Sequence, residues 1–218
     1  VTKPVVIAVD GPAASGKGTL ARRLARHLGY AYLETGRLYR AVAAKVLDAG
    51  FDPRDETAAA KVAQGLVPAD LEHPKLFDPA TTGAASTVAA HGSVRKALLQ
   101  RQRDFAAHPP GNTPGVVVDG RDIGTHVFPD ADHKIYLTAS PEIRAERRVA
   151  QLRDRGGEAI YQRVLADIQD RDRRDETRQH APLARATDAH LLDSSRLDID
   201  QVFSTALTLI GADPKPAD

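Results

Sequence analysis

Val5-Val6-Ile7-Ala8-Val9-Asp10-Gly11-Pro12-Ala13-Ala14-Ser15-Gly16-Lys17-Gly18-Thr19 is the stretch on which the fold turns. Val5 to Val9 is an unbroken β-favouring apolar run, the pattern of a strand buried on both faces of a parallel sheet. Gly11, Pro12 and Gly16 interrupt it. From Lys17 a helical pattern begins, with Leu20, Leu24 and Leu28 at four-residue spacing, and it closes at Gly29. A glycine loop between a buried strand and a helix start makes a phosphate cradle. Its backbone N–H groups turn inward, the helix N-terminus adds positive potential, and Lys17 places a point charge on the β- and γ-phosphates. The competing reading, a strand-to-helix turn with glycines kept for geometry alone, gives no reason for a lysine after both glycines. Gly11, Pro12, Ala13, Ala14, Ser15, Gly16, Lys17, Gly18 and Thr19 are therefore the candidate triphosphate site.

Further along the chain, strand and helix patterns alternate. Short β-rich runs fall at Ala31-Tyr32-Leu33, Val116-Val117-Val118, Lys134-Ile135-Tyr136-Leu137 and Leu191-Leu192. Helical patterns cover Gly36 to Ala49, a stretch from Pro141, and Asp198 to Ile210. Residues 51–114 differ: prolines at 53, 68, 74, 79, 109, 110 and 114 divide alanine-rich helical pieces, the best of them Thr81 to Ala107. The expectation is an α/β fold with a five-stranded parallel sheet flanked by helices, a mainly helical insertion, and a tail at 211–218 without structure.

The composition narrows the function. Thirty Lys and Arg nearly balance twenty-nine Asp and Glu, for a net charge of +1, so general polyelectrolyte binding is not favoured. Zero cysteines exclude disulfides, thiol catalysis and Cys-ligated metals, and suit a reducing cytoplasm. No apolar run approaches the roughly 18–20 residues of a spanning helix, and the N-terminal run lacks the features of a signal peptide. The eight histidines are scattered without ligand spacing, and no hydrolase triad or HExxH helix occurs. Partners are thus expected to be small nucleotides rather than nucleic acid or membrane, and the chain is expected to act as a monomer.

A second anion site is suggested by arginines at strand and helix ends, where pockets form in open sheets. Glu34-Thr35-Gly36-Arg37-Leu38-Tyr39-Arg40 follows the second strand, and Asp119-Gly120-Arg121-Asp122 the third. Ten arginines fall between positions 144 and 178, interleaved with acids. Surface pairing at i, i+3 and i, i+4 accounts for part of this. The choice of Arg over Lys favours bidentate contact with phosphoryl oxygens. Gly156-Gly157 between these helices reads as the bend of a closing lid. The position after Lys17 is Gly18, where a Ser or Thr often reaches Mg²⁺. Thr19 is then a direct or water-mediated metal contact, and Asp119 either a metal-organising acid or a strand-end cap.

GPAASGKGT, TGRLYR, ASTVAA with VRKALLQRQRDF, DGRDIGT with VFPDA, and RDRRDETR with APL together resemble bacterial cytidylate kinases, from about Val5 to Ile210. The glycine loop, with GKGT as in nucleoside monophosphate kinases, is by itself generic to many NTPases. The DGRDIGT and RDxRDxxR blocks are far more specific. The resemblance implies phosphoryl transfer from ATP to CMP or dCMP with Mg²⁺. It also implies a core at about 1–35, 115–145 and 180–210, an acceptor-binding lobe at about 36–114, and a short arginine-rich lid at about 146–179. By the same resemblance Thr35, Arg95, Asp122 and Arg178 face the cytosine, and Ser86, Arg171 and Asp175 the pentose. Arg40 and Arg121 hold the CMP phosphate, and Lys17, Arg147 and Arg148 neutralise the moving phosphoryl group, with Arg121 also counted as catalytic. Position 35 is often Ser in relatives, and Leu66 to Ala85 is shorter than the family's insertion there. Competing functions are a UMP/CMP or adenylate kinase and, from another class, an NTP-dependent switch with slow hydrolysis.

Overall fold

Among the described residues, five strands form one parallel sheet: β1 (Val5–Asp10), β2 (Ala31–Glu34), β3 (Gly115–Gly120), β4 (His133–Thr138) and β5 (His190–Asp193). Their order is β2-β3-β1-β4-β5, and every neighbouring pair is parallel. The computed structural model describes residues 3–154, 156 and 158–212. All five strands coincide with the runs read from the sequence, extended by one to three residues. The connections leaving β1 and β3 run to opposite sides, which opens a crevice at the carboxyl ends of these two strands. Register brings Glu34 beside Asp119, Val9 beside Asp119, and Asp10 beside Gly120 and Tyr136 at that end.

Period-two alternation divides β1 and β3 between two apolar layers. Ile7, Val9 and Val117 pack with Leu20, Leu24, Val202 and Leu207, from α1 (Lys17–Leu28) and α8 (Ile199–Leu209). Val6, Ala8, Val116 and Val118 pack on the other face against Ala106 of α5 (Gly92–Ala107) and against Ile123 and Val127. Burial on both faces is why these strands read as continuous apolar runs. Each buried Val, Leu or Ile here contributes about 1.5–3 kcal/mol relative to exposure.

A third cluster holds the helical insertion together, with α2 (Thr35–Asp48), α3 (Glu56–Gln64), α4 (Pro79–Val88) and α5 meeting around Val42, Val46, Leu76 and Leu98. The stretch read as one helical piece from Thr81 to Ala107 is two helices, broken between Val88 and Gly92. Long-range contacts fix the break. The His91 ring pairs with the Pro53 carbonyl at 2.9 Å, and the Ser93 N–H and hydroxyl both donate to Glu56, at 3.1 and 2.7 Å. These bonds anchor the start of α5 on α3 while α4 packs on α2. The segment 66–85 is turns and helix, without strand.

The arginine-rich region forms α6 (Pro141–Asp154) and α7 (Tyr161–Thr177), packed through Ala145, Val149, Val164 and Ile168. Of the glycines read as a bend, Gly156 has φ +77°, and Gly157 lies outside the described residues. Of the tail read as unstructured, Gly211 and Ala212 hydrogen-bond back onto α8 at 3.1 and 3.0 Å, and 213–218 lie outside the described residues. Among the described residues no helix is long and apolar enough to cross a membrane.

Candidate active site

The glycine loop, residues 11–16, closes β1 onto the N-terminus of α1. Gly11 stands at φ +151°, and a Cβ there would fall 2.0 Å from the Leu137 carbonyl of β4. No side chain fits without displacing β4. Gly11→Ala is therefore expected to weaken binding of a non-hydrolysable ATP analogue by about tenfold or more. Isothermal titration against the unaltered chain checks this, and an unchanged affinity would contradict it. Lys17, the first residue of α1, folds back to donate to the Pro12 carbonyl at 3.2 Å. Ser15 is buried, and its hydroxyl has no hydrogen-bond partner. Beside the loop lies a cavity of about 450 Å³ lined by Gly16, Thr19, Leu137, Arg147, Arg148 and Phe203, among others. Arg147 donates to the Ser194 hydroxyl and carbonyl at 2.9 and 2.7 Å, and Arg148 to Gln151 at 2.6 Å. Both arginines thus stand on the glycine-loop side, at the wall of this cavity.

Across the crevice a polar network joins β3, α5 and α7. The Asp122 carboxylate is paired with Arg95, and Arg178 lies 3.5 Å from its other oxygen. Arg121 donates to Asp175 at 3.0 Å, and Arg178 comes within 3.9 Å of the same carboxylate. Arg178 is held in turn by the Ala181 carbonyl at 2.8 Å. Thr35 is buried at the start of α2 and donates to the Asp119 carbonyl at 2.7 Å. Arg40 pairs with Glu34, and its guanidinium lies 4.7 Å over the Phe77 ring. Burial pushes Asp175 up, but Arg121, Arg171 and Arg178 together hold it below the usual carboxylate range.

Positive charges converge here without enough anions to balance them. Burial, then Arg121 and Arg171, pulls the Lys17 ammonium down to about 7. Burial, with Arg121 and Arg40 nearby, pulls Arg171 down to about 10. Among the described residues, the buried side-chain polar atoms lacking a partner are Ser15 Oγ, Arg40 Nε, Ser86 Oγ, Arg95 Nε and Arg171 Nε. Each belongs to a residue singled out from the sequence. Buried polar groups are nearly always paired, so unpaired ones gathered around a crevice mark where a polar ligand docks.

Asp119, buried at the end of β3, accepts from the Tyr32 hydroxyl at 3.2 Å. Burial raises its pKa, against the pull of Lys17 and Arg121. A Cβ on Gly18 would stand 3.0 Å from its Oδ2, so glycine at 18 lets this carboxylate sit over the helix start. Thr19 is exposed on the first turn of α1.

The sequence reading passed over two groups. Asp10 ends β1 and accepts from the Ile123 and Gly124 N–H groups at 2.8 and 2.7 Å, which fixes the backbone just after Asp122. Burial raises its carboxyl to about 7, against those two hydrogen bonds. Its one signal in the sequence is an acid set between an apolar run and a glycine loop. The other is Arg144, 3% exposed, paired with Asp172 of α7. Its three- and four-residue spacing from Arg147 and Arg148 puts it near their helix face.

A family model described as cytidylate kinase matches residues 7–212. The chain belongs to the cytidylate kinase family. Among curated relatives, the cytidylate kinase of Paramagnetospirillum magneticum is 54% identical over 207 residues, covering 95% of this chain and 98% of that protein. Those of Rhodospirillum rubrum and Xanthobacter autotrophicus are 52% and 53% identical, each covering at least 94% of this chain and 97% of the relative. The crystal structure of an uncharacterized protein from Eubacterium ventriosum shares the fold, with a TM-score of 0.55 at 12% identity over 96% of this chain and 99% of that one.

Proposed function

We infer that the chain transfers the γ-phosphoryl group of ATP to CMP or dCMP, giving ADP and CDP or dCDP. Membership of the cytidylate kinase family supports this. The observation that carries it is the split of the unpartnered buried polar atoms, with Ser15 in the donor loop and Arg40, Ser86, Arg95 and Arg171 across the crevice. A switch that only hydrolyses ATP has no use for the second set.

In this reading the glycine loop and Lys17 hold the β- and γ-phosphates, and Arg40 and Arg121 hold the CMP phosphate. Thr35, Arg95, Asp122 and Arg178 read the base, while Ser86, Arg171 and Asp175 contact the pentose, with Arg171 also facing the acceptor phosphate. The acceptor oxygen of a phosphate dianion is already nucleophilic near neutral pH, so no general base is needed. Its bond to the γ-phosphorus forms as the bond to the β-phosphate oxygen breaks, and the electron pair leaves with ADP. Catalysis is then in-line positioning plus charge neutralisation by Lys17, Arg121, Arg147 and Arg148. Residues 36–114 serve as the acceptor lobe, and 146–179 as the lid that excludes water.

The residues present fit a magnesium ion. Asp119 is a buried oxygen donor beside Lys17, and Thr19 offers a hydroxyl on the first turn of α1. A magnesium ion keeps several waters and takes phosphate oxygens as ligands, so one or two protein oxygens would be enough to hold it. When bound, it would neutralise charge between the donor phosphates.

Polyphosphate binding should restore the Lys17 proton. In the free protein Lys17 is mostly neutral above about 7, and beside phosphates its pKa returns toward the ordinary 10.5. The bound state therefore carries up to one more proton between those values, and affinity falls as pH rises through that window. Calorimetry at pH about 8.5 in buffers of differing ionisation enthalpy should show proton uptake on binding the ATP analogue. Proton release would contradict the assignment.

A coupled assay with ATP and CMP, dCMP, UMP or AMP tests the function as a whole. Turnover is expected with CMP and dCMP, at about a hundredfold lower kcat/KM with UMP. ATP hydrolysis indifferent to CMP, with no CDP formed, would favour the switch.

A further inference from the structure

Arg144 of α6 reaches three separate parts of the molecule from a buried position. Its Nε donates to the Ala139 carbonyl just beyond β4, at 2.9 Å. Its Nη1 donates to the Ala13 carbonyl in the donor loop, at 3.1 Å. Nη1 and Nη2 together form a fork on the Asp172 carboxylate of α7, at 3.1 and 2.6 Å. A trans peptide sets its C=O and N–H antiparallel, so holding the Ala13 carbonyl against Arg144 points the Ala14 N–H the opposite way. Ala14 itself stands at φ +59°, a left-handed conformation that alanine adopts only under outside restraint. Its methyl packs on the α6–α7 cluster of Ala145, Val149, Val164 and Ile168. The tip of the donor loop is thus seated on the α6–α7 pair by a guanidinium and by an apolar contact.

Asp172 directly follows Arg171, whose Nε has no partner, and Asp175 lies a turn further on, paired with Arg121. One guanidinium therefore joins the loop that grips the donor to the helix that faces the acceptor. We propose that Arg144 and Asp172 are a positioning pair that couples the two nucleotide sites. Donor phosphates fix the Ala13–Ala14 peptide, this fixes Arg144, and Arg144 fixes the angle at which α7 presents Arg171 and Asp175. The inference rests on the donor and acceptor sides assigned under the proposed function. Coupling of this kind is reciprocal, so each nucleotide tightens the other by the same factor.

The test measures dissociation constants for CMP with and without a saturating non-hydrolysable ATP analogue, and the converse, in the unaltered chain, Asp172→Asn, Arg144→Lys and the double variant. The unaltered chain is expected to show mutual tightening of about tenfold. In Asp172→Asn the factor should fall to within about twofold of unity, and the double variant should lose no more than either single change. A merely structural role would lower the melting temperature and the folded fraction but leave the coupling factor of the folded protein intact. Tightening of undiminished size in Asp172→Asn overturns the proposal, and so does its absence from the unaltered chain. Should the variants not fold, the Ala14 amide resonance of the unaltered chain still decides. It should shift when CMP alone binds, and an unmoved resonance overturns the coupling. CDP formation by the unaltered chain tests the parent reading separately, so an active enzyme without coupling defeats this inference alone.

Discussion

Lys17→Met is expected to lower kcat for CMP phosphorylation by about 10²–10³-fold while leaving the protein as stable as before, or more so. The two halves of this expectation have one cause. Lys17 is pulled well below the ordinary lysine pKa by burial and by Arg121 and Arg171. Its charge is therefore a cost to the free protein, one that Asp119 and Asp175 only partly offset. Methionine keeps much of the stem and carries neither that charge nor the cost of giving up its proton. In the transferring state the same ammonium faces phosphoryl oxygens in a desolvated crevice, where a fixed charge acts far more strongly than in water. Single-turnover kinetics and thermal unfolding of the variant check both halves. A kcat within about threefold of the unaltered chain would remove Lys17 from the mechanism.

Asp122→Asn is expected to shrink the kcat/KM preference for CMP over UMP by about 10²-fold. Asp122 is 4% exposed and braced by Arg95 and Arg178. Those two cations use part of the four or so acceptor sites of a carboxylate. The remaining acceptors suit the exocyclic amine of cytosine and oppose the carbonyl that uracil presents there. An asparagine amide can turn its NH₂ to donate to that carbonyl, which removes the opposition. The change also leaves two buried guanidiniums facing a neutral group, at a stability cost of about 3–5 kcal/mol. The ratio of the two substrates on one preparation is independent of how much protein is folded, so it isolates recognition. An unchanged ratio would take Asp122 out of base reading.

What the sequence disclosed follows from how local each signal is. The strand at Val5, the loop at Gly11 and the helix from Lys17 are written in consecutive residues, because burial on both faces and a phosphate cradle each demand a local pattern. The arginines at 40, 95, 121, 171 and 178 stood out because their motifs are short and specific. Arg144 looked like one member of a solvated charged helix. Its role depends on a carbonyl 131 positions away and a carboxylate 28 positions away, which no local spacing reveals. Asp10 is similar: its partners are the N–H groups of Ile123 and Gly124, more than a hundred residues on. The break between α4 and α5 was partly hidden for the same reason: Gly92 marks it locally, but the bonds to Pro53 and Glu56 that hold it come from far along the chain. Long-range hydrogen bonds were thus the part of the structure least legible from the chain alone.

The most direct measurement is a crystal structure of the chain with a bisubstrate analogue in which a phosphate bridge joins adenosine to cytidine. The account predicts that the bridging phosphates meet Lys17 and Arg121, that Arg171 Nε gains a phosphate or ribose partner, and that the cytosine amine meets Asp122. A complex in which the bridge runs over the surface, with Arg40, Arg121 and Arg178 turned to solvent, would contradict it.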